Sequence, residues 1–146
     1  VKHEFPEINQ SAVYGLPELN RARIKESQVV ACPGCYPTSA ILGVAPLLKN
    51  KVVKTDKIII DSKSGVSGAG RNAKIDTIFT EVNESFKAYG VLKHRHTPEI
   101  KQEMDKLSES DMNVVFTPHL LPINRGILST IYLEVNEKWK ERLKSY

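Results

Sequence analysis

Apolar residues in this chain recur at helical spacing in some segments and form short continuous runs in others. A β-branched run, Val29–Ala31, enters a Pro-Gly turn and passes into a helix that starts near Pro37 and ends near Asn50. The apolar positions that define this helix are Ala40, Ile41, Val44, Ala45, Leu47 and Leu48. The continuous apolar run within Lys57–Ser62 predicts a buried strand.

The rest of the chain predicts further helices and strands without a regular β-α-β rhythm. Residues through Ser11 lack periodicity and indicate a connector, and Pro17 predicts the first turn of a short helix. Thr97 as N-cap and Pro98 at the first helical position predict a later helix. The remaining predictions are strands at Asn113–Thr117 and Ile127–Val135, an amphipathic helix in Glu137–Tyr146, and a long loop with short elements from Asn72 to Gly90. This mixture favours the α+β class, with a mixed sheet covered by helices.

Composition narrows the classes of function. A chain of 146 residues suits one compact domain with a core, and its composition leads us to expect neither a membrane-spanning segment nor a signal peptide. The net charge is only +4, with Lys and Arg spread among acidic residues, so we expect neither a nucleic acid nor a membrane as partner. The 2 cysteines argue against a secreted disulfide scaffold and favour a reducing, cytoplasmic compartment.

Cys35 lies between Gly34 and the start of the predicted helix. Unpaired backbone N–H groups and the positive end of the helix dipole favour the thiolate there, and the thiolate is the nucleophile. Two alternatives remain from the residues alone: Cys35 is a small buried hydrophobe, or it forms with Cys32 the C-x-x-C of a thioredoxin-like redox site. A zinc site is disfavoured because one C-x-x-C supplies only two ligands.

The segment His94–Glu99 contains a second set of candidate catalytic groups. His96 comes just before the predicted helix, and Glu99 follows over the same turn. A carboxylate bonded to one ring nitrogen fixes the tautomer and raises the basicity of the other, so Cys35 and His96 form a candidate thiolate–imidazole pair. The alternative is that the histidines are solvated turn residues and that Glu99 only complements the helix dipole.

The stretch Ser64–Arg71 is the most glycine-rich part of the chain. Its glycines allow several backbone N–H groups to face an anion, and Arg71 adds a forked donor for phosphate or carboxylate. The glycine spacing does not match the dinucleotide-binding fingerprint, and a flexible surface loop is the alternative. Arg125 lies in the predicted connection between two strands and is a second candidate for binding anions.

Five blocks of the chain, taken together and in order, resemble the N-acetyl-gamma-glutamyl-phosphate reductases, the arginine-pathway relatives of aspartate-semialdehyde dehydrogenase. The blocks are Tyr14–Glu18, Pro33–Thr38, Ser64–Gly70, His94–Glu99 and Thr117–Gly126. The resemblance covers nearly the whole chain and disfavours the redox module, which explains only the cysteine block. It implies the fold of a glyceraldehyde-phosphate-dehydrogenase-like C-terminal domain, a two-layer mixed sheet with helices on one face.

The resemblance also implies an activity and a role for each candidate residue. The activity is the NADPH-dependent reduction of N-acetyl-L-glutamyl 5-phosphate to the 5-semialdehyde and phosphate, without a metal, through a thioester on a catalytic cysteine. The implied catalytic residues are Cys35 as nucleophile, His96 as acid/base, Glu99 as the group that orients it, and His94 as the fallback acid/base. The implied binding residues are Ser67, Gly68 and Gly70 for the cofactor, and Ser64, Arg71, His94 and Arg125 for the substrate.

Two departures from the family's pattern affect what we expect of this chain. The family has Asn where this chain has Cys32, a change that we expect to be harmless because a disulfide across so short a turn must meet strict geometry. Residues 1–146 contain no glycine-rich phosphate turn of a nucleotide-binding domain. We therefore expect the catalytic and dimerisation domain alone, which binds NADPH poorly and assembles as a homodimer or homotetramer. A non-enzymatic assembly domain remains a third hypothesis.

Overall fold

The computed structural model describes residues 4–72 and 74–143. The helices within them are α1 (Pro6–Ser11), α2 (Pro17–Glu26), α3 (Cys35–Lys49), α4 (Phe79–Val82), α5 (Thr97–Ser108) and α6 (Glu137–Leu143). The strands within them are β1 (Val13–Tyr14), β2 (Val30–Ala31), β3 (Lys57–Ser64), β4 (Lys87–Ala88), β5 (Asn113–Leu120) and β6 (Ile127–Tyr132). Two 3₁₀ turns, Val66–Ala69 and Ile75–Thr77, lie between β3 and α4.

The main sheet has the strand order β4-β5-β3-β6. The two central strands, β3 and β5, are parallel and pair from Lys57 opposite Asn113 to Ser64 opposite Leu120. Their connection crosses over through α5, as parallel neighbours require. Both outer strands are antiparallel to their neighbours, so the sheet is mixed. Strands β1 and β2 form a separate parallel pair.

Helices α3 and α5 pack on one face of this sheet and form the core with it. Along β3 buried and partly exposed side chains alternate, which places Ile58, Ile60, Ser62 and Ser64 towards the helices. The buried core is formed by Tyr36, Ala40, Val44, Leu48, Val53, Ile58, Ile60, Ile100, Met104, Met112 and Phe116. The predicted α+β architecture, a mixed sheet with helices on one face, is confirmed.

The opposite face of the sheet is partly exposed along β3, β5 and β6, and none of its residues on these strands is buried. Asp61 lies at its centre, 2.8 Å from Lys63 Nζ and 3.1 Å from His119 Nδ1. Large apolar side chains extend from its edge, where Leu128 is 67% exposed and Tyr132 is 57% exposed.

Several local predictions are corrected by the structure. The predicted connector contains α1, a short helix that Pro6 initiates and that buries no residue, so no apolar periodicity marks it. Helix α5 begins at Thr97, and its N-cap is His96. Residues 1–3 of the predicted connector and residues 144–146 of the predicted C-terminal helix lie outside the described residues. Among the described helices, none is long and apolar enough to cross a membrane.

Candidate active site

Cys35 is the first residue of α3, which begins two residues before the predicted start near Pro37, and its side chain is exposed. The preceding Gly34 has an extended backbone, with φ −67° and ψ 160°, and its carbonyl accepts the backbone N–H of Thr38 at 3.0 Å. Cys35 opens into a cleft of about 700 Å³. This cysteine cleft is lined by Cys35, Tyr36, Ser64, Gly65, Gly68, Ala69, Lys74, Asp76, Thr77, Lys87, Tyr89, His94, Arg95, His96 and Leu120.

His96 lies in the same cleft, directly beside the residue that precedes Cys35. Its ring is so close to Gly34 that a methyl group on that glycine would lie 2.5 Å from Nε2. Only glycine leaves room for the imidazole here, since real methyl groups do not approach other atoms so closely. The predicted thiol and imidazole, which are far apart in the sequence, are therefore brought to one site. His96 is buried, 8% exposed, and its Nδ1 has no hydrogen-bond partner among the described residues.

His94 supports His96 from one side. The backbone N–H of His96 donates to Nδ1 of His94 at 3.1 Å, and the two rings lie 4.8 Å apart. Because Nδ1 is the acceptor, the proton of the neutral His94 ring is on Nε2. Burial lowers the pKa of His94, and the charges of His96 and Arg95 lower it further. Burial also lowers the pKa of His96, and the opposing charge of Glu99 does not outweigh it. Both rings are therefore neutral at neutral pH, as a proton acceptor must be.

Glu99 has different partners from those expected. Its Oε1 accepts the backbone N–H of Gly34 at 2.9 Å and the hydroxyl of Tyr14 at 2.8 Å. The expected hydrogen bond from Glu99 to the His96 ring is absent among the described residues, and Nδ1 of that ring is without a partner. Glu99 thus holds the backbone just before the nucleophile and does not fix the imidazole tautomer.

Two phenols stand beside the histidines in the cleft. The hydroxyls of Tyr36 and Tyr89 are 2.9 Å apart, and the Tyr36 ring makes an edge contact with His94. Burial raises the pKa of both phenols, so both stay protonated at neutral pH. Nothing in the local sequence marks them as site residues, because they come from a helix and from a loop far apart in the chain.

The glycine-rich loop does not form the expected cradle of free N–H groups. The backbone N–H groups of Gly65, Val66 and Ser67 donate to the carbonyls of Gly126, Ile123 and Asn124 at 3.0, 2.9 and 3.0 Å. Those of Gly68 and Gly70 donate within the loop itself. A methyl group on Gly65 would lie 2.7 Å from the backbone nitrogen of Arg125, so this glycine permits the close packing of two loops.

The predicted binding residues divide between two clefts. Ser64, Gly68 and His94 line the cysteine cleft, where the Ser64 hydroxyl donates to the carbonyl of Gly65 at 3.0 Å. The others line a neighbouring cleft of about 450 Å³. This arginine cleft is lined by Val66, Ser67, Gly70, Arg71, Asn72, Thr77, Ile78, Asn124 and Arg125. The structure therefore does not bring Arg71 and Arg125 together with Cys35.

The cysteine cleft has three cations that the sequence reasoning did not select: Lys74, Lys87 and Arg95. None of them forms an ion pair with a described residue. Arg95 could have been found from its place between the two histidines. The lysines come from a loop and a two-residue strand whose position no local pattern indicates.

The two cysteines are not arranged as a redox pair. Residues 32–34 form no turn, and Gly34 is extended. An extended chain advances about 3.3 Å per residue, so three residues span roughly 10 Å. A disulfide needs Cα atoms within about 7 Å. Both cysteines are free, and the extended backbone at Gly34 does not favour the short separation that a disulfide needs, which disfavours the dithiol alternative.

Comparison with known proteins gives relatives of one name over most of the chain. The N-acetyl-gamma-glutamyl-phosphate reductase of Desulfotalea psychrophila is 61% identical over 136 residues, 92% of this chain and 39% of that protein. The reductase of the same name from Caldicellulosiruptor saccharolyticus is 62% identical over 130 residues, 89% of this chain and 38% of that protein. The chain thus spans about two fifths of the length of these relatives.

Solved structures share the fold at low sequence identity. Aspartate semialdehyde dehydrogenase II from Vibrio cholerae superposes with a TM-score of 0.64 at 16% identity, over 87% of this chain and 45% of that one. Aspartate semialdehyde dehydrogenase with NADP from Candida albicans superposes with a TM-score of 0.54 at 17% identity, over 89% of this chain and 40% of that one. Residues 35–145 match the protein family described as semialdehyde dehydrogenase, dimerisation domain. The chain belongs to this semialdehyde dehydrogenase dimerisation-domain family.

Proposed function

We propose that the protein containing this chain reduces N-acetyl-L-glutamyl 5-phosphate to N-acetyl-L-glutamate 5-semialdehyde and phosphate with NADPH, a step of arginine biosynthesis. The observation that carries the proposal is the meeting of Cys35, at the start of α3, with His96, whose Nε2 lies beside Gly34. Relatives that are 61% identical and carry this enzyme name support it. Because the chain covers 39% of their length, the activity is proposed for the whole protein.

In the first step the sulfur of Cys35 attacks the acyl carbon of the substrate. Its proton passes to His96, a C–S bond forms, and the C–O bond to phosphate breaks with the electron pair leaving on phosphate. A neutral imidazole suits this role because it has a free lone pair for the proton. The product of the step is a thioester on Cys35.

The second step reduces the thioester. NADPH, when bound, supplies a hydride to the thioester carbon. The protonated His96 then gives its proton to the oxygen that develops negative charge, and it takes the proton back as the C–S bond breaks. The electron pair of that bond returns to the sulfur of Cys35, and the semialdehyde leaves. The neutral phenols of Tyr36 and Tyr89 provide further hydrogen-bond donors in this cleft.

We assign the substrate's negative charges to the cations of the cysteine cleft, Arg95, Lys74 and Lys87. They form no ion pair with a described residue, so their charges are available to an acyl phosphate or a carboxylate, although Asp76 lines the same cleft. Ser64 and Gly68 line the same cleft, and we assign them contacts to the substrate.

We assign the reacting end of NADPH and its phosphates to two separate clefts, whose residues fit them. A cleft of about 700 Å³ is within the usual range for binding an organic ligand. Because the loop's N–H groups are already bonded to carbonyls, side chains must supply the contacts to the phosphates. We assign these contacts to the arginine cleft, with Arg71, Arg125, Ser67 and Gly70. Most of the cofactor contacts belong to the part of the protein outside this chain.

We also propose that the exposed face of the sheet packs against a second copy, giving a homodimer or, by pairing of dimers, a homotetramer. Leu128 and Tyr132 on this face are 67% and 57% exposed, and the family that the chain matches is described as a dimerisation domain. Sedimentation of the full-length protein and of Leu128→Glu tests this. A monomeric wild type, or a variant that sediments as the wild type does, would contradict the assignment.

The activity is tested by following NADPH oxidation by the full-length protein with the acyl phosphate as substrate. Cys35→Ser should lower turnover at least ~10³-fold, because serine is a far weaker nucleophile at neutral pH. NADPH affinity, measured by calorimetry, should stay unchanged. Cys32→Ser is the matched control and should remain active. A protein that needs Cys32 for activity would be a redox module, and one that is active without Cys35 would not use a thioester.

A further inference from the structure

A single carboxylate oxygen connects three separate elements at the candidate active site. Oε1 of Glu99, in the first turn of α5, accepts the backbone N–H of Gly34 at 2.9 Å and the hydroxyl of Tyr14 at 2.8 Å. Gly34 is the N-cap of α3, and Tyr14 belongs to β1. The two donors are 65 and 85 residues from their common acceptor, so only the tertiary fold brings them together.

The bond to Gly34 determines where the nucleophile meets the imidazole. The peptide N–H of Gly34 is held from the side of α5, and its Cα is pressed against the His96 ring, which belongs to the same end of α5. Cys35 follows at once as the first residue of α3. Rotation of the Gly34 peptide would therefore move the thiol away from His96. Glu99 prevents this rotation.

Tyr14 is itself firmly held, which makes it an effective donor. Its strand pairs with β2, with Tyr14 opposite Ala31, and its carbonyl accepts the side-chain amide of Asn20 at 3.0 Å. Burial, together with its bond to Glu99, raises the pKa of the phenol, so the hydroxyl keeps its proton. The Tyr14 hydroxyl thus fixes the carboxylate in one orientation and leaves Oε1 directed at Gly34.

We propose that Glu99 and Tyr14 are positioning residues, and that they act through the Gly34 peptide to place Cys35 against His96. The proposal rests on the proposed function in that it takes Cys35 and His96 as the reacting pair. Glu99 contributes here as a hydrogen-bond acceptor, and its negative charge on the imidazole is secondary. Tyr14 is a new member of this arrangement, and it lies outside the cysteine cleft.

Substitutions of Glu99 separate the acceptor role from the charge role. Glu99→Gln removes the charge but keeps a side-chain oxygen that can accept from Gly34 and Tyr14, whereas Glu99→Met removes both. If positioning is the role, Glu99→Met should lower kcat of the full-length protein roughly 100-fold and Glu99→Gln less than about 10-fold, since the hydrogen bonds are lost outright only in the first and are weakened in the second. Tyr14→Phe should lower kcat by about 10-fold. The KM for the acyl phosphate should change little in all three.

The opposite role, tuning of His96 by charge, makes different predictions. Glu99→Gln would then be as damaging as Glu99→Met and would move the acidic limb of the pH profile of kcat/KM, while Tyr14→Phe would be harmless. Any of these results would overturn the proposal. Glu103→Gln, a carboxylate one turn further along α5 that pairs with Lys106, is the matched charge control and should keep normal kcat.

The rate at which iodoacetamide alkylates Cys35, measured by mass spectrometry, reports directly on the position of the thiol. Positioning predicts slower alkylation of Cys35 in Tyr14→Phe and Glu99→Met and an unchanged rate at Cys32. Should Glu99→Met fail to fold, Tyr14→Phe decides the matter alone. If Cys35→Ser keeps its turnover, the proposed function fails. If Cys35→Ser is inactive while Tyr14→Phe and Glu99→Met have full kcat, only the positioning role fails.

Discussion

The two walls of the cysteine cleft are built very differently. The wall that carries Cys35 and His96 consists of the starts of two long helices, packed on the sheet and linked through Glu99. The facing wall, from the glycine-rich loop to Tyr89, consists of 3₁₀ turns, a four-residue helix and a two-residue strand. Its apolar side chains remain largely in water, with Ile75 76% and Phe79 78% exposed.

The groups that react therefore lie on the first wall, and charges that attract the substrate lie on the facing wall. Groups that exchange a proton must be held within a few tenths of an ångström, and burial in a helix layer provides that rigidity. The facing wall supplies charge through Lys74 and Lys87, which attract an anion over a longer distance and tolerate less exact placement. Substitutions in the first wall should therefore lower kcat, and those in the second should raise KM.

Gly34→Ala should give the largest effect in the wall that carries Cys35 and His96. The new methyl group would lie 2.5 Å from His96 Nε2, so either the ring or the backbone at Gly34 must move. We expect kcat to fall ~100-fold and the free energy of unfolding to drop by about 1–3 kcal/mol, as measured by turnover and by denaturant titration.

Gly70→Ala is the matched change in the facing wall. Its methyl group would meet no atom of the described residues within 4 Å, but Gly70 has a φ of 83° that other residues avoid. We expect the free energy of unfolding to fall by a similar amount, about 1–3 kcal/mol, with little change in kcat. Equal losses of kcat in the two glycine variants would show that the walls do not differ in this way.

Arg95→Met should have the next largest effect. We expect the KM for the acyl phosphate to rise about 10-fold, because a charge facing the substrate is lost, while kcat stays within about twofold. Arg71→Met, from the arginine cleft, should leave that KM unchanged and raise the KM for NADPH. Steady-state kinetics with each substrate varied in turn measures both. A rise in the acyl phosphate KM for Arg71→Met alone would place the substrate in the arginine cleft.

The buried histidines should make stability depend on pH. Because burial lowers the pKa of His94 and His96, the unfolded chain takes up protons at a higher pH than the folded one. The free energy of unfolding is therefore unaffected above the ordinary histidine value of about 6.5 and falls as the pH drops below it. Thermal melting between roughly pH 5 and 7.5 should show this decline. His96→Gln should make it shallower, and an unchanged slope would contradict the burial effect.

Cys32→Ser should have the smallest effect. Cys32 is exposed and forms no disulfide with Cys35, and the extended backbone at Gly34 does not favour one. We expect turnover to change by less than about twofold and hydrogen peroxide to inactivate wild type and variant at the same rate. Mass spectrometry after mild oxidation should find no Cys32–Cys35 disulfide. Protection of the variant from peroxide would show a redox role for the pair.

Local patterns predicted the parts of the fold that depend on neighbouring residues. The continuous apolar run of β3 and the helical spacing in α3 are properties of single elements, and both were found where the patterns placed them. The N-cap of α5 was predicted one residue late, because Thr97 is a favourable cap by type while the backbone turns at His96. Helix α1 was missed because it buries nothing and so leaves no apolar pattern.

The sequence by itself determined that a thiol stands at a helix start and that a histidine stands at another. Only the tertiary structure decided that these helix starts meet, that Glu99 binds the Gly34 peptide, and that Arg71 and Arg125 lie in a separate cleft. It also decided that N–H groups of the glycine-rich loop donate hydrogen bonds to carbonyls within residues 123–126. Helix starts depend on adjacent residues, whereas hydrogen-bond partners and the walls of a cleft depend on how elements far apart in the chain are packed against one sheet.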